Sequence, residues 1–121
     1  HSALTKADGL KLAEDILIAV PDVQAIYAMN DELALGAVQA VKAAKRRMVV
    51  TGFNGVPPAI AAVKAGDLGM TIALKPMTWG KLAVRAAVDH ANGKPLPRIV
   101  EIETVLVDQS NVARLTPQDL Q

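Results

Sequence analysis

A chain of 121 residues is long enough for one ordinary domain and too short for two; 51% hydrophobic residues allow a packed core and exclude intrinsic disorder. The net charge is +1 with the charges scattered, so there is no nucleic-acid footprint, and the absence of cysteine excludes disulfides, thiolate catalysis and Cys-ligated metals. No apolar run approaches the ~20 residues a bilayer-spanning helix needs. The chain begins His1-Ser2, without an initiating Met or a signal peptide, which decides nothing about export.

In chain order, Leu10, Ala13, Ile16, Leu17 and Val20 are spaced for one face of a helix. Thr5 and Asp8 stand at capping-box distance at its start, with Ser2 as a competing cap, and Pro21-Asp22 ends it. Val23 to Ala28 reads as a short buried strand. A second helix runs from about Asp31 to Ala44, with Lys45-Arg46-Arg47 as its solvated, basic C-terminus.

Met48 to Phe53 is the next strand and Asn54-Gly55 its turn. Pro57 and Pro58 suit a helix N-terminus, a short helix covers Ala59 to Lys64, and Gly66 stops it. Met70 to Ala73 is a third strand, cut by Pro76. Thr78 to Ala91 is a fourth helix, Asn92-Gly93-Lys94-Pro95 a strong stop, and Ile99 to Val107 a final extended segment before a polar tail.

Alternating helix and strand imply an α/β fold: a flavodoxin-like parallel sheet with right-handed crossovers and flanking helices. The aliphatic composition suits strands covered on both faces. A sheet of three or four strands would leave long unpaired edges, so the chain is expected to be part of something larger and to pair with an upstream part or with itself.

Ligands of open α/β sheets bind beyond the carboxyl ends of the strands. That rule selects Asn30-Asp31, Asn54-Gly55 and Leu74-Lys75. Asn30 and Asn54 end consecutive strands, so both side chains are expected to face one shared crevice, where their amides offer donors and an acceptor to a hydroxylated ligand. A plainer reading exists for each: Asp31 is expected to cap the second helix and Asn-Gly to make a turn. Tyr27 and Phe53 read as core, whereas Trp79 suits a domain junction or a ligand contact equally. His90 reads as a surface residue, because its neighbour Asp89 points elsewhere on the helix. No catalytic residue, metal site or cofactor motif is found, and the chain is expected not to be an enzyme.

Three stretches together resemble the ribose-binding-protein family of periplasmic sugar receptors: Pro21 to Ala37, with its Met-Asn-Asp-Glu-Leu-Ala-Leu-Gly; Val49 to Pro57, with Gly-Phe-Asn-Gly; and Ala61 to Pro76, with Ala-Gly-Asp-Leu followed by Thr-Ile-Ala. The resemblance spans about Leu10 to Val112. It implies two α/β lobes with a sugar buried between them, of which this sequence is the C-terminal portion. Residues 1–74 would belong to the C-terminal lobe, 75–105 would cross a hinge and supply a helix and strand to the N-terminal lobe, and 106–121 would return.

Carried over position by position, Asn30 matches the family's ligand asparagine. Asn54 stands where ribose receptors have an aspartate, keeping hydrogen bonding without charge. Leu74 stands where a hinge glutamine contacts the sugar, and Lys75 is the neighbouring candidate to replace that contact. The resemblance further implies a small-molecule sugar or polyol as ligand, a membrane permease of an ABC transporter as partner, no nucleic acid, and a periplasmic location. Effector domains of lactose-repressor-type regulators share the fold and are the alternative.

Overall fold

The computed structural model describes residues 4–120. The alternative cap Ser2 lies outside them. Four helices, four strands and a terminal 3-10 turn alternate: α1 (Lys6–Ala19), β1 (Ala25–Tyr27), α2 (Asp31–Ala43), β2 (Val49–Thr51), α3 (Pro57–Ala65), β3 (Met70–Leu74), α4 (Pro76–Ala91), β4 (Thr104–Asp108) and η1 (Pro117–Leu120). The elements expected from the sequence all form, with ends that move by a few residues.

Local chemistry sets most boundaries. Thr5 and Asp8 make a reciprocal capping box at α1: Asp8 N donates to Thr5 Oγ1 (3.2 Å) and Thr5 N donates to Asp8 Oδ2 (3.0 Å). Gly66, at φ 80°, ends α3 in the left-handed region a side chain resists, and Asp67 N closes back on Ala62 O at 2.9 Å. The basic run 45–47 lies just beyond α2 and is not wholly solvated. Arg46 reaches back to the loop before β1, donating to Val23 O at 3.0 Å.

The strands lie in the order β1-β2-β3-β4. β1, β2 and β3 are parallel, with Ile26 opposite Val50 and Thr51 opposite Met70. β4 runs antiparallel to β3, from Met70↔Asp108 to Leu74↔Thr104, so the sheet is mixed where an all-parallel sheet was expected. The cause is the path of α4 and the segment 92–103: the chain leaves at the end of β3 and comes back at the same end.

Right-handed crossovers in one direction along the sheet set α2 and α3 on the same face. On that face Val50, Thr71, Ala73 and Val107 are buried beneath Val38, Val41, Ala59 and Val63. The opposite set, Tyr27, Val49 and Leu106, is exposed, Tyr27 by 72%. Coverage on both faces is therefore not what this chain provides, and Tyr27 is not a core residue. Phe53 is half-buried and His90 exposed.

α1 lies along α2 at a crossing with no room for side chains. A Cβ on Gly9 would sit 2.3 Å from Leu33 O, and one on Gly36 would sit 2.1 Å from Lys6 O. α4, by contrast, buries none of its residues.

Candidate functional site

The carboxyl ends of the parallel strands carry the polar groups. Asn30 follows β1 and is the N-cap of α2: its Oδ1 accepts from Leu33 N at 2.8 Å. An amide used in this way keeps its two N–H donors. The expected cap, Asp31, is not the cap. It is fully buried one residue further on, where Oδ2 accepts from Val56 N (2.8 Å) and Oδ1 from Thr71 Oγ1 (2.7 Å). A carboxylate at the first position of a helix is favoured by the helix dipole.

Asn54 follows β2 at φ 119°, outside ordinary strand geometry, and forms an isolated bridge with Ala73 of β3. Its N donates to Ile72 O at 2.9 Å and its O accepts from Leu74 N at 3.1 Å. Gly55 N then donates to Thr71 Oγ1 at 3.2 Å. Gly55 has φ 72°, and a Cβ there would lie 2.3 Å from that of Ala73, so glycine is required twice over.

Asn54 and Leu74 thus come together, and both line one groove of about 720 Å³. α3 supplies Pro57, Ile60 and Lys64, and the C-terminal tail supplies Leu115, Thr116 and Leu120. The groove is mostly apolar, with Asn54, Lys64 and Thr116 as the polar residues of its lining. Asn30 and Lys75 do not line it. The Lys75 ammonium sits 2.8 Å from Glu103 Oε2, and that hydrogen bond and charge hold the Glu103 carboxyl below the usual carboxylate range. Beside them Trp79 donates from Nε1 to Glu103 O at 3.4 Å.

Sequence reasoning missed the tail as a wall of the groove, because residues 109–121 read as polar. A signal was there. Thr116 to Asp119 has capping spacing, and the turn forms, with Thr116 N and Oγ1 both on Asp119 Oδ2 at 2.7 and 2.8 Å. That turn sets Leu115 and Leu120 against the groove. The role of Thr71 was also missed, since a lone threonine in a strand carries no sequence signal. Among the described residues no cluster of His, Asp or Glu could hold a metal ion, and no helix is long and apolar enough to cross a membrane.

Residues 2–95 match the family described as periplasmic binding protein domain. The ribose import binding protein RbsB of Haemophilus influenzae is 36% identical over 104 residues, covering 86% of this chain and 36% of that protein. The Bacillus subtilis RbsB is 38% identical over 104 residues, covering 86% and 34%. An ABC transporter periplasmic solute binding protein from Actinobacillus succinogenes with bound D-allose superposes with a TM-score of 0.85 at 31% identity, over 93% of this chain and 40% of that one. A solute binding protein from Bacillus halodurans with bound myo-inositol gives a TM-score of 0.79 at 32% identity, over 91% and 39%. The chain spans about a third of the length of the curated relatives it matches. By these matches the chain belongs to the periplasmic binding protein family.

Proposed function

We propose that this chain is part of the solute-binding component of an ABC-type sugar importer and captures a monosaccharide or related polyol by hydrogen bonding at its strand tips. The observation that carries the reading is the convergence of Asn54 and Leu74 on one groove. The names of its relatives, which bind ribose, D-allose and myo-inositol, support it.

Asn54 donates to and accepts from ligand hydroxyls without placing a charge against them. Each such bond contributes on the order of 1 kcal/mol net, while a buried partner left unpaired costs about 1–3 kcal/mol. That asymmetry is how an uncharged site rejects near-isomers. Leu74 offers an apolar wall where a ring face or a methylene can lie. Asn30 stands at the same ends of the strands in the same lobe as Asn54, and Lys75 stands at the hinge, both outside the groove: residues 75–105 form an excursion into a second lobe about a hinge at Leu74 to Pro76, and residues 106–121 return. Closure of the second lobe over the sugar would bring Lys75 to it and present a joint surface to a membrane permease, a hinge-type switch. The role is capture without chemical conversion, in the periplasm.

The test is a titration of the isotope-labelled 121-residue chain with D-ribose, D-allose and myo-inositol at millimolar concentration, followed by amide NMR. Saturable shifts are expected at Asn54, Leu74 and the tail, weakened about tenfold or more in Asn54→Ala, the loss of one or two hydrogen bonds. If no member of the panel shifts these residues, the sugar reading is wrong.

A further inference from the structure

We infer that Asp31 and Thr71 are positioning residues that hold Asn54 in its ligand-presenting backbone conformation; the inference rests on the reading of Asn54 as a sugar contact. Asn54 has φ 119°, a region that a residue with a side chain occupies only when its surroundings over-determine it. Restraints act on both sides of it. Upstream, Asn54 N and O are both tied to β3, through Ile72 O and Leu74 N. Downstream, the next two backbone N–H groups are held by the pair: Gly55 N on Thr71 Oγ1 and Val56 N on Asp31 Oδ2.

The pair is a unit because one hydroxyl serves both ends. Thr71 Oγ1 accepts from Gly55 N and donates to Asp31 Oδ1 at 2.7 Å, which also fixes the carboxylate that takes Val56 N. Both residues are fully buried, so water does not substitute for either bond. The backbone is fitted to the carboxylate as well: a Cβ at Gly52 would stand 2.3 Å from Asp31 Oδ1. Asp31, Gly52, Gly55 and Thr71 are therefore one device, contributed by α2, the loop after β2 and β3. Its output is the direction of the Asn54 amide.

Thr71→Val removes the hydroxyl at constant volume, Thr71→Ser keeps it, and Asp31→Asn keeps the acceptor for Val56 N while removing the charge. Three signals separate positioning from plain structure: the Asn54 HN–Hα coupling, small at φ 119° and large in an extended backbone; hydrogen exchange of Gly55 and Val56; and the apparent Kd for D-allose. In Thr71→Val, exchange at Gly55 should speed about tenfold, the loss of one hydrogen bond. The Asn54 coupling should rise and D-allose should bind more weakly, while protection in α2 is unchanged. Thr71→Ser should restore all three.

If Thr71→Val also loses α2 protection, Asp31→Asn decides, with a severalfold rise expected at Val56. Unchanged coupling and exchange in a folded variant would overturn the inference. A wild type indifferent to D-allose whose loop is still released by Thr71→Val would overturn the sugar reading and leave the hold on Asn54 supported.

Discussion

Helices α2 and α4 have similar lengths, 13 and 16 residues, and similar alanine and valine content, yet they live in different surroundings. α2 buries eight of its residues between Asp31 and Val41, packed between α1 and the sheet. α4 buries nothing: Met77, Val84 and Val88 are exposed, while Trp79 Nε1 and the N-cap Lys75 both reach Glu103. Both carry an apolar stripe. What differs is whether the chain supplies a surface to cover it. A stripe alone predicts a helix, and only a partner layer turns it into stability.

The same substitution made in each helix should expose that difference, most strongly where a large side chain is removed. Leu33→Ala in α2 deletes a buried side chain and should cost about 2–5 kcal/mol in denaturant unfolding. Leu82→Ala in α4, where the leucine is 38% exposed, should fall within about 1 kcal/mol of wild type. Equal costs would mean that α4 is packed in solution.

Glycine to alanine should even change sign. At Gly36 the new methyl meets Lys6 O, so a loss of about 1–3 kcal/mol is expected from overpacking. At Gly80 nothing lies within 4 Å, and the higher helix propensity of alanine should raise α4 stability by about 0.5–1 kcal/mol, read as slower amide exchange within that helix.

The smallest effect is electrostatic. Hydrogen bonds from Lys94 and Arg85 hold the half-buried Asp89 carboxyl below its ordinary range. A lowered folded-state value stabilises the helix end above the unfolded-state value and is lost as pH falls through the folded one. Asp89→Asn should remove this acid-side fraying of α4, seen by NMR below the ordinary carboxylate range, and high salt should mimic it. α2 should show no such dependence on Asp89.

Sequence-legible features here are the local ones. The Thr5 capping box, the Gly66 stop and the helix–strand alternation depend on residues a few positions apart. Of the groove, the rule of strand ends picks out Asn54 and Leu74 from the sequence alone, whereas Asn30, expected to share a crevice with Asn54, and Lys75 lie outside it. Three things were hidden because they are settled at long range. Asp31 could be assigned to a cap because its true partners, Val56 and Thr71, are 25 and 40 residues away. Tyr27 has the look of core because a strand's pattern does not say whether a layer covers each face. The direction of β4 depends on where α4 and the segment 92–103 lead the chain, which no periodicity records.

The pairing of Leu74 with Thr104 carries a consequence for how this molecule can be re-engineered. The chain departs and re-enters the sheet on one rung, so β3 and β4 are in effect the two arms of a hairpin whose turn has been expanded to residues 75–103. Loop-closure entropy grows only slowly with length, about 0.6 kcal/mol per doubling. Lengthening, shortening or exchanging that expanded turn therefore leaves the ladder's register untouched, and a two-residue Asn-Gly link of the mirror-image turn type would join the same two arms directly.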